Sequence, residues 1–340
     1  MYNGGNPADG TALLSQVPEP MIYTVTLNSS IDRTLTVERF RVGGTFKATQ
    51  SDMLPAGKGI NVARVVATLG ERVTAIAIVG QNDVPAFADE LARGGIESRL
   101  VGVLGATRVS VTILDPLDHT ETHLREQGQS LPPEVLRQVK AELAGVAGGD
   151  WVVLAGSLPP GMPEEGYREL IEMCAAHGAY TLLDANGRPL VAGVAACPTA
   201  LRLNLFELWQ VDGQPVGESA EDDLGEVPLA EALSAMRRVR ERGVEMVVVS
   251  MGARGAVGLD SGGRAWWAAT SLDQPVVDAV GSGDALGAGW AVAQAQGKSF
   301  PEALLLGVAC GAANTLVAGA GRCRRSDIDR LAARAVVREV

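Results

Sequence analysis

The chain has few of the residue types that build metal centres and disulfide scaffolds. Among 340 residues there are three histidines and four cysteines, and no two cysteines form a C-x-x-C pair. This scarcity argues against a zinc site. The simplest interpretation of the cysteines is a set of reduced thiols in a cytoplasmic protein.

Several common functional signatures are also missing. The sequence has no G-x-x-x-x-G-K-[ST] loop, no G-x-G-x-x-G after a strand and no G-x-S-x-G elbow, which argues against P-loop enzymes, dinucleotide-binding folds and α/β-hydrolases. A net charge of −11 disfavours nucleic acid as a partner and means that an anionic substrate would need a local basic site. No apolar stretch has the uninterrupted length of a membrane span, so we expect no membrane partner.

The two ends of the chain differ in character. Residues 1–20 are rich in Gly, Pro, Asn and Asp and lack the basic and apolar regions of a signal peptide, so we expect a flexible extension. Residues 21–340 are expected to form one domain. Within it, the acidic, Gly- and Pro-containing stretch 211–227 is expected to be a surface loop.

What is present is an alternation of short apolar runs and amphipathic segments, typical of an α/β fold. Runs such as 73–79 and 151–155 are almost purely apolar, which predicts a mostly parallel central sheet covered by helices on both faces, a three-layer α/β/α sandwich. Two polar-alternating pairs at 34–54 and 108–124 predict a small antiparallel sheet. We expect it to form a lid, inserted as segments of about 33–55 and 104–126. Three helices are expected after residue 284, over 285–295, 300–317 and 326–336.

The stretch G-S-G-D at 281–284 carries the clearest chemical signal. Gly281 and Gly283 allow a sharp turn with accessible main-chain N–H groups, and the start of a helix favours an anion. Asp284 lies in the first turn, where a carboxylate reaches a substrate hydroxyl. An anion site beside a base suits phosphoryl transfer to an alcohol. The alternative is that Ser282 or Asp284 only caps the helix.

Other polar stretches follow predicted strands, where ligands gather in open α/β sheets. Those stretches are 28–32, 156–161, 184–187, 204–207 and 250–252. A further glycine-flanked loop opens a helix at 57–61 and contains Lys58 and Asn61. The alternative for that loop is an ordinary helix start with an exposed lysine.

Six segments in order show a wider resemblance. They are T-L-N-S-S-I-D (26–32), P-A-G-K-G-I-N-V-A-R (55–64), G-S-L-P-P-G (156–161), R-L-N-L-F-E-L (202–208), V-V-S-M-G-A-R-G-A (248–256) and D-A-V-G-S-G-D (278–284). Together they resemble the PfkB (ribokinase-like) carbohydrate kinases, in the hexose-phosphate kinase branch, over about 22–336. The chain departs from the family pattern at Ser29, Ala56, Arg202 and Leu203.

The resemblance implies a role for individual residues. It makes Asp284 the base and the main chain of Gly281, Ser282 and Gly283 the anion hole. It assigns the sugar to Asp32, Gly57, Gly59 and Asn61, with the glycines letting the backbone approach the sugar, and assigns the sugar-phosphate end to Lys58, Arg108 and Ser157. It assigns ATP to Asn204, Ser250, Gly252, Gly255 and Asn314, and Mg²⁺, through water, to Glu207. Two alternatives stay open: Arg108 as an ordinary exposed arginine, and Asn314 as a buried polar residue.

The resemblance also implies the activity. It is ATP- and Mg²⁺-dependent phosphorylation of a ketohexose monophosphate in glycolytic metabolism, with fructose 1-phosphate first and fructose 6-phosphate or tagatose 6-phosphate as alternatives. Lys58 and Arg108 argue against a ribose or nucleoside kinase, because a neutral substrate needs no second phosphate site. The intact 281–284 turn argues against a non-catalytic sugar-phosphate sensor. A homodimer through the lid is expected, since exposed strand faces need cover.

Overall fold

The structure is a computed structural model that describes residues 20–118, 120–214 and 227–340. Apart from Pro20, the predicted N-terminal extension lies outside these residues, as does most of the predicted loop at 211–227. The described helices are all too short or too polar to cross a membrane.

The strands and helices alternate along much of the chain, as the apolar pattern predicts. The strands are β1 (Ile22–Thr26), β2 (Ser30–Thr36), β3 (Gln50–Ala56), β4 (Val73–Gly80), β5 (Glu97–Val103), β6 (Arg108–Asp115), β7 (Thr120–Arg125), β8 (Trp151–Ala155), β9 (Tyr180–Asp184), β10 (Ala200–Asn204), β11 (Met246–Ser250), β12 (Ala256–Leu259), β13 (Ala265–Ala269) and β14 (Val336–Glu339). The α-helices are α1 (Lys58–Thr68), α2 (Val84–Arg93), α3 (Glu134–Glu142), α4 (Gly166–Ala176), α5 (Gly187–Val194), α6 (Leu205–Asp212), α7 (Leu229–Arg240), α8 (Ser282–Ala295), α9 (Phe300–Asn314) and α10 (Arg325–Ala332).

A ten-stranded sheet in the order β14-β13-β12-β11-β10-β9-β8-β1-β4-β5 forms the middle layer. The neighbours from β5 to β11 are parallel, and β12, β13 and β14 add an antiparallel edge. Strands β1, β4 and β8 are buried along their whole length, because side chains from both faces of the sheet enter a core. This confirms the predicted three-layer architecture.

A second sheet has four strands in the order β3-β2-β6-β7, and we call it the lid sheet after the predicted lid. The two predicted antiparallel pairs are present as β2–β3 and β6–β7, and a parallel pairing of β2 with β6 joins them. Because side chains alternate along a strand, the sheet has two different faces. One row across it is Leu54, Asp32, Ser110 and Arg125, and the adjacent row, on the other face, is Met53, Arg33, Val111 and Leu124.

Helices α8 and α9 pack closely through small residues, as the run after residue 284 predicts. A β-carbon added to Gly289 would lie 2.7 Å from Sγ of Cys310, and one added to Gly307 would lie 2.8 Å from the carbonyl oxygen of Leu286. This close contact keeps the N-terminus of α8 fixed relative to the sheet.

The prediction of a single helix over 326–336 is wrong at its C-terminal end. The helix expected over 326–336 ends at Ala332, and β14 follows as an edge strand paired with β13. The short helices α5 and α6 and the β12–β13 hairpin also lie in stretches without a predicted element. In each case tertiary pairing or packing outweighs a weak local pattern.

Candidate active site

The N-terminus of α8 forms the centre of the site. Gly281 is the N-cap residue and has a left-handed conformation with φ of 80°, which favours glycine. The N–H group of Ser282 donates to the carbonyl of Ala279 at 3.3 Å. Gly281 and Gly283 are therefore the stronger candidates for the predicted anion hole.

Two buried side chains hold this turn in place. Asp278 accepts hydrogen bonds from the N–H groups of Val280 and Gly319, both at 2.8 Å. Asn314 donates to the carbonyl of Val280 at 2.7 Å and accepts from the N–H of Gly321 at 2.9 Å. Because Asn314 is fully buried and bonded at both ends, it fits the alternative of a buried polar residue that supports the loop.

Asp284 is a buried carboxylate with a specific partner. It is 6% exposed, and its Oδ2 accepts a hydrogen bond from Nδ2 of Asn61 at 2.8 Å. Burial raises the pKa of Asp284 to about 6, a shift that Lys58 opposes and Asp184 reinforces. A carboxylate with this pKa is ionised at neutral pH and is suited to accept a proton.

A network of charges lies beside Asp284. Nζ of Lys58 is 2.8 Å from Oδ1 of Asp184 and 3.7 Å from Oε1 of Glu207, and Nη1 of Arg202 is 3.1 Å from Oδ2 of Asp184. Burial alone would lower the pKa of Lys58, but Asp184, Glu207 and Asp284 raise it above its ordinary value. Burial opposes ionisation of Asp184, yet Lys58 and Arg202 lower its pKa.

Asn204 and Glu207 form a reciprocal cap at the start of α6. Glu207 N donates to Oδ1 of Asn204 at 2.7 Å, and Asn204 N donates to Oε2 of Glu207 at 2.8 Å. Glu207 is nearly buried, which raises its pKa. The described residues contain no group of three or more His, Cys, Asp or Glu side chains arranged to hold a metal.

The first cavity, which we call the lid cavity, lies between the lid sheet and the end of the central sheet and has a volume of about 340 Å³. Asp32, Gly57, Lys58, Asn61, Arg108, Ser157, Gly281 and Asp284, all predicted from the sequence, line it. Ser30 donates to Oδ1 of Asp32 at 2.7 Å, and burial raises the pKa of Asp32. Ser157 Oγ accepts from Nδ2 of Asn28 at 3.1 Å.

Arg108 is placed at the lid cavity but is partly engaged by the main chain. Its guanidinium donates to the carbonyls of Asn28 at 3.0 Å, Ser29 at 3.3 Å and Glu126 at 2.8 Å. It is neither a fully exposed arginine nor a freely available phosphate ligand.

The two glycines of the 57–59 loop have different surroundings. Gly57 lines the lid cavity and has φ of 133°. Gly59 instead packs against β1, since an added β-carbon would lie 2.5 Å from Oγ1 of Thr26 and 2.8 Å from the carbonyl oxygen of Val25. Glycine is therefore needed at position 59 for packing, and the approach of its main chain to the sugar stays a prediction.

The second cavity, which we call the α8–α9 cavity, has a volume of about 610 Å³ and lies on the other side of the α8 turn. Ser250, Gly252 and Gly255, which the resemblance assigns to ATP, line it together with Ser282, Gly283 and apolar residues of α8 and α9. Asn204 and Asn314 are not among its lining residues. The α8 N-terminus thus separates two cavities and contributes to both.

Three residues of the site have no role in the sequence prediction. Asp184 and Arg202 belong to the buried charge network, and Arg125 lines the lid cavity from β7. The position of Asp184 at the end of a strand is a signal that could have identified it. The guanidinium of Arg125 forms no hydrogen bond or ion pair with the described residues, so its donors are available to a ligand of the lid cavity.

A helix N-terminus, a buried carboxylate and two adjoining cavities define a site for group transfer between two bound molecules. The pfkB family carbohydrate kinase profile matches residues 21–327. The chain belongs to this family.

Individual relatives agree with this assignment. The 1-phosphofructokinase of Rhodobacter capsulatus is 35% identical over 290 residues, covering 85% of this chain and 88% of the relative. Phosphofructokinase-2 from Escherichia coli, solved with fructose-6-phosphate, matches with a TM-score of 0.81 and 26% identity over 92% of this chain and 98% of that one. The ribokinase of Arabidopsis thaliana has a TM-score of 0.70 at 21% identity, over 92% and 98% of the two chains, and confirms the ribokinase-like fold.

Proposed function

We propose that this protein phosphorylates a ketohexose monophosphate with ATP, with fructose 1-phosphate as the leading substrate. The observation that carries the proposal is the position of the α8 turn: Gly281 and Asp284 line the lid cavity, while Ser282 and Gly283 line the α8–α9 cavity. A sugar in the first cavity and a nucleotide in the second would meet at the base and the anion hole. The 1-phosphofructokinase relative favours fructose 1-phosphate, and the E. coli relative keeps fructose 6-phosphate as the alternative.

The proposed chemistry is a single in-line transfer. The substrate hydroxyl gives its proton to Asp284, and the hydroxyl oxygen bonds to the γ-phosphorus as the bond to the bridging β–γ oxygen breaks and ADP leaves. Asn61 holds Oδ2 of Asp284, so Oδ1 is the oxygen that accepts the proton. The N–H groups of Gly281 and Gly283 stabilise charge on the transferred phosphoryl group.

The resident phosphate of the sugar is assigned to the lid. Arg108 and Arg125 lie on neighbouring strands and both line the lid cavity. Arginine matches the geometry of phosphate oxygens, and Arg125 has its donors available. Lys58 adds charge from α1, and Ser157 supplies a hydroxyl from the loop after β8.

The nucleotide and its Mg²⁺ are assigned to the other side of the α8 turn from the lid cavity. Ser250, Gly252 and Gly255 would border the nucleotide in the α8–α9 cavity. One carboxylate, Glu207, fits a Mg²⁺ that is held mainly by phosphate oxygens and water, and Mg²⁺ there would neutralise phosphate charge. Asn204 acts by fixing Glu207 through their shared cap.

We further propose that residues 21–340 form one kinase domain whose lid is the 33–55 and 104–126 segments, and that it acts in the cytoplasm as a homodimer through the lid. Met53 and Leu124, on the lid face that bears Arg33, are 56% and 58% exposed. Burying such side chains against a second copy is favourable. Analytical ultracentrifugation that detects only monomer at micromolar concentration would contradict the dimer.

The test is ADP release with Mg·ATP on fructose 1-phosphate, fructose 6-phosphate, tagatose 6-phosphate and ribose. We expect turnover on one ketohexose phosphate and a fall of roughly a hundredfold or more in Asp284→Asn, the scale of losing a positioned base. Binding of sugar phosphate without turnover would identify a sensor. Turnover on ribose alone would refute the assignment of Lys58, Arg108 and Arg125 to a resident phosphate.

A further inference from the structure

Arg202 is a buried cation whose side chain lies along one face of α8. It begins on β10 and is 6% exposed. A β-carbon added to Gly287 would lie 3.8 Å from Cγ of Arg202, and one added to Gly283 would overlap the guanidinium, within 2.7 Å of Nη1. Since Gly283 and Gly287 are four residues apart, they lie on the same face of the helix. The two glycines therefore make room for the arginine.

The guanidinium is held between the two halves of the site. Nη1 donates to Oδ2 of Asp184 at 3.1 Å, and Asp184 in turn pairs with Lys58 of the lid cavity. Nη2 donates to Oγ of Ser250 at 3.0 Å, and Ser250 lines the α8–α9 cavity. Nε is buried with no hydrogen-bond partner among the described residues. An arginine held at two points and packed on glycine has little freedom to move.

The positive charge of Arg202 also contributes to the electrostatics of the site. The network holds two cations, the half-buried Lys58 and the buried Arg202, and three buried carboxylates, Asp184, Glu207 and Asp284, so its formal sum is −1. Without Arg202 the sum would be −2, directly behind the turn that has to receive a phosphoryl group. A fixed cation at the N-terminus of a helix adds to the positive end of the helix dipole.

We infer that Arg202 is a positioning residue that holds the Gly281–Asp284 turn against the sheet and places a fixed positive charge behind the anion hole. The inference rests on the proposed kinase function. It explains why the arginine lies under Gly283 rather than in either cavity. It also predicts that Arg202 affects the chemical step more than the binding of sugar phosphate.

The experiment compares Arg202→Met and Arg202→Lys with wild type in the full chain. We expect Arg202→Met to lower kcat by about a hundredfold, the scale of losing one anion-hole donor, with KM for the sugar phosphate changed less than about threefold. Arg202→Lys, which keeps the charge, should stay within about tenfold of wild type. The acid limb of kcat/KM should move to higher pH in Arg202→Met, because Asp284 loses a nearby cation beside Lys58, Asp184 and Glu207.

A matched control separates this role from simple stability. Arg264 also pairs with a nearly buried aspartate, Asp260, at 2.9 Å. The strand register places that hairpin at the end of β11 opposite to Ser250. Arg264→Met should therefore leave kcat within about twofold. Circular dichroism of each variant gives the folded fraction to which kcat is normalised.

A double variant tests the contact with Gly283 directly. Gly283→Ala should lower kcat in wild type because its methyl group displaces the guanidinium, and it should cost much less in Arg202→Met. Fully additive effects, or a normalised kcat of Arg202→Met within twofold of wild type, would overturn the inference. Absence of turnover by the wild type on every sugar phosphate would instead refute the proposed function.

Discussion

The two cavities that meet at the α8 turn are lined by different types of residue. Charged and hydroxyl side chains from the lid, α1 and the sheet line the lid cavity, whereas glycine, alanine and aliphatic side chains dominate the α8–α9 cavity. If the sugar phosphate binds in the first cavity as proposed, its recognition depends on the charge of individual side chains. Recognition in the second depends on shape and on the main chain. Substitutions that change charge and substitutions that change volume should consequently separate the two substrates.

The largest effect should come from Lys58, which joins the lid cavity to the buried carboxylates. Lys58→Met leaves the buried carboxylates of Asp184 and Glu207 with one cation fewer, and leaving a buried charge without its partner costs about 3 kcal/mol or more. We expect kcat/KM for the sugar phosphate to fall by roughly a thousandfold and the melting temperature to fall. Steady-state kinetics and calorimetry measure both.

The control for that substitution is Lys58→Arg, which keeps the charge and should recover most of the melting temperature. A Lys58→Met enzyme within tenfold of wild type would show that the network is not needed for the sugar half of the site.

A smaller effect is expected for Arg125, on the face of the lid sheet that borders the lid cavity. Loss of charge-assisted hydrogen bonds to phosphate is worth about 1.5–3 kcal/mol, so Arg125→Gln should raise KM for the sugar phosphate roughly tenfold to a hundredfold. KM for ATP should stay within about twofold. Kinetics with each substrate varied in turn measures the difference.

Arg33→Gln is the matched control for Arg125, because Arg33 lies on the other face of the same sheet. Because that face is the one proposed for the homodimer, the variant is compared with wild type in the same state of assembly, and both KM values should then be unchanged. Equal effects of the two variants would mean that the lid acts through its fold or its assembly rather than through a phosphate contact.

The pH dependence of the reaction should report the ionisation of Asp284, the proposed base in the lid cavity. Because burial raises the pKa of Asp284 to about 6, the base is protonated below that pH. The value of kcat/KM should then fall about tenfold per pH unit below pH 6 and level off above it. A profile that stays flat down to pH 5 would contradict Asp284 as the base. Asn61→Ala removes the hydrogen bond that favours the charged form and should move the limb to higher pH.

Much of this arrangement could be predicted from the sequence, for a physical reason. The ends of parallel strands meet at one edge of a sheet, so the 28–32 segment after β1 and Ser157 after β8 could be placed together although they are distant in the chain. The glycine turn at 281 has a local signal as well, because its conformation favours glycine.

The position of Asp184 at the end of a strand is a local signal, but its partners in the charge network and the other missed features have none. Asp184 and Lys58 are 126 residues apart, and Arg202 owes its role to a contact with Gly283 that no spacing reveals. Strand β14 is a strand only because β13 offers an edge. In the sequence Arg125 looks like any charged surface residue, and only the strand register shows that it lies on the face of the lid sheet that borders the lid cavity.

The smallest effect is expected for a substitution in the apolar lining of the α8–α9 cavity. Ala312 lines the α8–α9 cavity from α9, and Ala312→Leu adds volume without charge. Overpacking a binding surface costs about 1 kcal/mol or more, so KM for ATP should rise about fivefold while KM for the sugar phosphate is unchanged. Ala175→Leu, at an exposed position of α4, is the control for helix substitution as such. If Ala312→Leu raised KM for the sugar phosphate as much as KM for ATP, the two cavities would not be separate sites, and the α8 turn would lie within one of them rather than between them.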